Sequence, residues 1–124
     1  MLIIDDEQDI IEVNSTMLER YGYKVFTATS GQEGIEILKK HVEKIDLAII
    51  DVMLPDMTGP ACAEKIYNVA PHCSVILSSG YHRNAEFNKT ISRIGGTWLQ
   101  KPYDSYTLLE TVRDVLDKKQ AGKR

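Results

Sequence analysis

The feature that most constrains this chain is an alternation. Short apolar, β-rich runs take turns with longer stretches in which apolar residues recur at helical spacing. The runs are Leu2–Ile4, Val25–Ala28, Leu47–Ile50, Ser74–Leu77 and Thr97–Gln100. "LAII", Leu47–Ile50, shows no polar alternation, as expected of a strand covered on both faces. Ile10, Ile11, Val13, Met17 and Leu18 mark a first helix ending near Gly22, and Ile35, Ile37 and Leu38 mark a second over Gly31–His41. A third is expected over Pro60–Val69, after a loop bracketed by Pro55 and Gly59 and before Pro71, which stops it. A polar helix from about Asn84 to Ile94 ends at Gly95-Gly96, a pair suited to a left-handed C-cap. Asp104 or Ser105 caps the last helix, which carries Leu108, Leu109, Val112, Val115 and Leu116. Strands alternating with helices build a parallel sheet covered on both faces and wound by right-handed crossovers, an α/β fold.

Length and composition narrow the classes further. The 124 residues fit one domain, 1–124, with a folded core to about 119 and a short tail over 120–124. Hydrophobic residues at 43% and charged residues at 27% separate the chain from disordered and fibrous classes. A net charge of −3 argues against nucleic acid as a direct partner, because a phosphate backbone calls for clustered cations. Lys118, Lys119, Lys123 and Arg124 read as the solvated end of a helix. No apolar run approaches the roughly 18 residues of a membrane span. The chain starts inside its first apolar run with no charged leader, so a cytoplasmic setting is expected. Cys62 and Cys73 lack redox or metal spacing and read as reduced thiols. His41, His72 and His82 read as surface residues.

In open α/β sheets the working site lies beyond the carboxyl ends of the strands. Asp5 and Asp6 follow the first strand, Asp51 the third, Ser78, Ser79 and Gly80 the fourth, and Lys101 and Pro102 the fifth. Singly, each has a bland explanation: an Asp there can open a turn or cap a helix, and a Lys can be solvated. Together they bring acids, a hydroxyl and an amine to one edge. Clustered carboxylates disfavour one another's ionisation unless a cation sits between them. An all-oxygen donor set suits Mg²⁺, and no His or thiolate is placed to favour zinc. Such a metal, a free carboxylate, a Lys and a hydroxyl are the parts needed for phosphoryl transfer to an acid.

"LIIDDE", "DVMLPDMTG", "ILSSGY" and "LQKPY" together resemble the receiver domain of two-component response regulators, over essentially the whole chain. The resemblance implies a flavodoxin-like (βα)5 three-layer sandwich with strand order 2-1-3-4-5. It also implies that Asp51 accepts a phosphoryl group from a phosphohistidine on a sensor histidine kinase or a histidine phosphotransfer domain. Asp5, Asp6, Asp51 and the backbone carbonyl of Met53 would hold Mg²⁺, and Lys101 would pair with the phosphate, next to a cis Lys101–Pro102 bond. From the residues alone either serine fits the switch hydroxyl; the family pattern of a hydroxyl followed by a small residue favours Ser79-Gly80. Trp98 stands where the family more often has Tyr or Phe, and is expected to turn as Ser79 moves. That motion remodels the face of helix four, strand five and helix five, where receivers dimerise or meet effectors.

The resemblance further implies a bacterial signalling switch rather than an enzyme, catalysing only its own phosphorylation and dephosphorylation. Met53 and Tyr81 flank the site without a carboxylate or amide to aim a water, so a long-lived phosphoryl group is expected. A rival class, the Asp-nucleophile phosphatases of haloacid-dehalogenase type, places a second Asp two residues after the first, where this chain has Met53. A stand-alone regulator and a hybrid-kinase receiver both fit, and the start within the first strand leans towards an excised segment.

Overall fold

The computed structural model describes residues 1–80 and 84–122, with side chains through Lys119. The elements run β1 Leu2–Ile4, α1 Gln8–Arg20, β2 Phe26–Ala28, α2 Gly31–Lys40 and β3 Leu47–Asp51. They continue with α3 Gly59–Val69, β4 Ser74–Ser79, α4 Ala85–Ile94, β5 Thr97–Gln100 and α5 Ser105–Gly122. All neighbouring strands pair in parallel, in the order β2-β1-β3-β4-β5. This is the α/β, flavodoxin-like arrangement that the sequence implies. The chain turns from one flank of the sheet to the other between β1 and β3, which makes their carboxyl ends the switch-point crevice.

Alternation along each strand sorts the core into two layers. Leu2, Ile4, Ala48, Ile50, Val75 and Leu77 pack with Ile35, Leu38, Cys62, Ile66 and Ile91, so α2, α3 and α4 cover that face. Ile3, Leu47, Ile49, Ile76 and Leu99 pack with Ile11, Leu18, Leu108, Leu109 and Val112, so α1 and α5 cover the other.

Several boundaries differ from expectation for local reasons. β3 runs through Asp51 and β4 through Ser78 and Ser79, with Asp51 in register with Ser78. Polar side chains do not interrupt a ladder whose hydrogen bonds are backbone to backbone, and Val52 N–H still donates to the Ser78 carbonyl at 2.9 Å. β2 begins one residue late, at Phe26, whose N–H meets the Met1 carbonyl. α5 continues past Lys119 to Gly122, into the stretch expected as a tail, since Gln120 and Ala121 are good helix formers. Asp104, rather than Ser105, caps α5, accepting the Thr107 N–H at 2.7 Å. Gly95 ends α4 at φ +69°.

The β3–α3 loop is held at both ends. At Gly59 a Cβ would lie 2.6 Å from Val52 Cα, so only glycine fits the turn out of β3. Asp56 accepts the N–H groups of Gly31 and Gln32, each at 2.9 Å, and so closes the α2 N-terminus from the neighbouring loop. Those two bonds hold the Asp56 carboxyl below its ordinary range.

Cys62 and Cys73 are buried and unlinked, and burial pushes each thiol up to about 12, too high for a reactive thiolate. His72 is exposed, whereas His41 is half-buried, its ring stacked on Phe26 at 4.4 Å between centroids. Tyr81 and His82 lie outside the described residues. Among the described residues no helix is long and apolar enough to cross a membrane.

Candidate functional site

Strand parity builds the site. Ile3, Ile49 and Leu99 face α1 and α5, and two residues on from each stand Asp5, Asp51 and Lys101. Lys101 Nζ lies 3.0 Å from Asp5 Oδ2, 3.5 Å from Asp51 Oδ1 and 3.8 Å from Glu7 Oε1. The other oxygen of Asp5 accepts the Glu7 N–H at 2.9 Å. Asp5 therefore serves both as a turn residue and as a charge partner. It is 4% exposed and Asp51 7%, while Asp6 faces solvent.

Asp5, Asp6 and Asp51 can each offer one oxygen such that all three atoms lie within 4.8 Å of one another. Burial pushes the Asp51 carboxyl above its ordinary value and the charge of Asp5 pushes it further, against the pull of Lys101. Burial alone would lower the Lys101 ammonium, but the hydrogen bond and charge of Asp5, followed by the charge of Asp51, leave it raised. Asp5, Glu7 and Asp51 thus surround one cation, with Asp6 clustered beside Asp5 and Asp51, and Lys101 does not fully compensate Asp51. An open, all-oxygen, over-acidic cluster fits a divalent cation of the magnesium kind. Met53 lines the same pocket; its N–H bonds the Asp51 carboxylate and the residue is 57% exposed.

The two serines part company here. Ser79 and Gly80 line the pocket with Asp51 and Lys101. Ser78, one residue back and on the opposite face, sits beside Tyr103. Trp98 is half-buried and stacks on Phe87 of α4, with ring centroids 5.5 Å apart. Its indole N–H donates to Gln100 Oε1 at 3.2 Å, and Gln100 Nε2 donates to the Ser79 carbonyl at 3.1 Å. The Lys101–Pro102 bond is cis.

Asp5, Asp6, Asp51, Ser79, Lys101 and Met53 thus meet in one crevice, and Trp98 joins it at one remove, through Gln100. Glu7, Gln100, Asn14 and Tyr103 were not anticipated. Asn14 had a readable signal: it interrupts the apolar stripe of α1 between Ile11 and Leu18. No carboxylate stands two residues beyond Asp51, where the phosphatase rival needs its acid.

A family model described as the response regulator receiver domain matches residues 1–113. The chain belongs to that family. Among solved structures it is similar to a CheY-like receiver domain protein from Methanospirillum hungatei JF-1, at 30% identity and a TM-score of 0.89, covering 98% of this chain and 95% of that one. It is also similar to the receiver domain of the hybrid histidine kinase CckA, at 32% identity and a TM-score of 0.79, covering 93% of this chain and 96% of that one. Among curated proteins, the sensor kinase CckA of Brucella abortus (strain 2308) is 29% identical over 118 residues, 95% of this chain. This chain spans 12% of the length of that kinase. A receiver is the signalling domain of two-component systems, whose partners are histidine kinases and phosphotransfer proteins.

Proposed function

We propose that this receiver accepts a phosphoryl group on Asp51 and changes shape in response. An Asp51 carboxylate oxygen attacks phosphorus in line. The bond to the imidazole nitrogen of a phosphohistidine breaks, the freed imidazole takes a proton, and an acyl phosphate remains on Asp51. Lys101 is the group that meets the new charge, since its ammonium already sits 3.5 Å from Asp51. Asp5, Asp6, Asp51 and the Met53 carbonyl would hold Mg²⁺, which, when bound, neutralises the transferring oxygens. Ser79 closes on the phosphoryl group, and Gly80 leaves it room. Buried Asp51 and Asp5 sharing one ammonium is the single observation that carries this reading.

The same reading makes residues 1–124 one switch domain, catalysing only its own phosphorylation and dephosphorylation. Its donor is a histidine kinase or phosphotransfer domain of the cytoplasm, and its output face is α4–β5–α5, available for a homodimer or an effector rather than for nucleic acid. Both a response regulator and a hybrid kinase of the CckA kind accommodate it.

Incubation with acetyl phosphate and Mg²⁺ tests the assignment. Intact mass should show one phosphoryl adduct, absent from Asp51→Asn; undiminished labelling of that variant would place the acceptor elsewhere.

A further inference from the structure

Behind the acid cluster, on the α1/α5 side of the sheet, three polar side chains meet in an otherwise apolar layer. Asn14 of α1 is 5% exposed, and its side-chain N–H donates to the Tyr103 hydroxyl oxygen at 3.0 Å. Ser78 of β4 is 1% exposed, and its hydroxyl completes no hydrogen bond. Burial pushes the Tyr103 phenol up, and Asn14 and then Ser78 oppose that, so the Ser78 hydroxyl stands close to the phenol. Tyr103 already accepts from Asn14, so its own proton needs an acceptor. The Ser78 oxygen beside it is buried and takes no other hydrogen bond.

Apolar residues at 14 and 78 would complete the layer without this burden, because unpaired buried polar groups cost stability. A buried polar network stiffens the elements it joins. The element it grips is the turn after β5. Pro102 fixes its own φ and donates no hydrogen bond, so little freedom separates Lys101 from Tyr103. Lys101 is tied on one side by its N–H to the Ser79 carbonyl, at 2.7 Å. Tyr103 ties the other side through its ring, its hydroxyl and Asn14.

We propose that Tyr103 is a positioning residue whose hydroxyl, set between Asn14 and Ser78, holds the Lys101 ammonium between Asp5 and Asp51. The inference rests on the reading of Asp51 as phosphoacceptor, because the position of Lys101 matters only if charge arrives beside it. Reaction rates are sensitive to such placement, where a shift of about 1 Å can cost up to about a hundredfold.

Tyr103→Phe keeps the ring and removes the hydroxyl alone. Phosphoryl uptake from acetyl phosphate at saturating Mg²⁺, followed by intact mass, should slow about five- to tenfold. Mg²⁺ affinity should stay at the wild-type value, since Asp5, Asp6 and Asp51 are untouched. The slowing should disappear in a Lys101→Ala background, where nothing is left to position. Asn14→Leu should reproduce the whole pattern, and supplies the same test should Tyr103→Phe melt below the assay temperature. Wild-type uptake in both variants overturns the proposal, as does a slowing that multiplies with that of Lys101→Ala. An adduct that survives Asp51→Asn would instead sink the phosphoacceptor reading itself, whatever Tyr103 does.

Discussion

On the α1/α5 side of the sheet, β1, β3 and β5 lead into Asp5, Asp51 and Lys101, with one ammonium 3.0 and 3.5 Å from the two carboxylates. On the α2–α4 side the same edge offers Trp98, Ser79 and Gln100, uncharged and joined by hydrogen bonds at 3.1 and 3.2 Å. The two sets meet on β5, where Gln100 and Lys101 are neighbours of opposite parity. Backbone alternation therefore separates a charge cluster from an uncharged aromatic cluster, and the 2.7 Å bond from Lys101 N–H to the Ser79 carbonyl links them. The proposed function makes use of this division. Phosphate must be neutralised at one place and felt at another, and a stiff β-ladder is the shortest connection between the two.

The largest effect should come from removing the cation of the charged side. Lys101→Ala leaves Asp5 and Asp51 facing each other in a buried setting, which should cost about 3 kcal/mol in metal-free urea unfolding at neutral pH. The cost should shrink in acid, as protonation of Asp51 relieves the repulsion. A change within about 0.5 kcal/mol, typical of a surface substitution, would show the cluster to be solvated and the two sides less different than they look.

Next comes the metal. Mg²⁺ at about a hundred times its dissociation constant should stabilise the fold by about 2.7 kcal/mol, and chelation should reverse it. Asp6→Ala should lose most of that gain while folding normally without metal, whereas Ser79→Ala, on the other side, should keep it. Marked destabilisation of metal-free Asp6→Ala would instead make Asp6 a structural cap.

Asp51→Asn gives a smaller effect whose sign follows from pH. The folded state raises the Asp51 carboxyl, through burial and then through Asp5, so ionising it opposes folding. Stability is therefore lost as pH climbs from the ordinary aspartate value towards the raised one, and the loss persists above it. The asparagine variant should melt higher than wild type at neutral pH without metal, and the gain should fade below about pH 4. A lower melting point at neutral pH would mean that Lys101 outweighs burial.

These effects also mark what could be read without coordinates. Asp5, Asp51 and Lys101 were legible because position after a strand is a one-dimensional property. The resemblance already favoured Ser79 over Ser78, but the physical difference between them, the parity of β4, becomes visible only once its neighbours show which layer Ile76 and Leu77 enter. Gln100, Tyr103 and Asn14 depend on cross-strand register and on the rotation of α1 about its axis, which a periodic pattern fixes only to within a residue. Asp56 is further from reach, since it caps a helix that precedes it in the chain by a whole βα unit.

The finest test concerns the uncharged side. Gln100→Leu removes the side chain that ties the Trp98 indole to the Ser79 carbonyl, and at an exposed position it should cost no more than about 1 kcal/mol. Its effect on signalling should exceed its effect on stability. In wild type, beryllofluoride with Mg²⁺ should change Trp98 emission, because on the proposed reading occupation of Asp51 draws Ser79 inward and shifts the indole between its contacts with Phe87 and Gln100. Trp98 is the chain's only tryptophan, so the signal has one source. Ser79→Ala should abolish the change, and Gln100→Leu should weaken it while leaving occupation of Asp51 intact. If Gln100→Leu leaves the response unaltered, the ring is driven by space alone, as a phenyl ring would be, and the indole N–H is incidental. If emission stays constant while Asp51 is demonstrably occupied, the two sides of the sheet are not coupled through this edge, and the output of the domain leaves by another face.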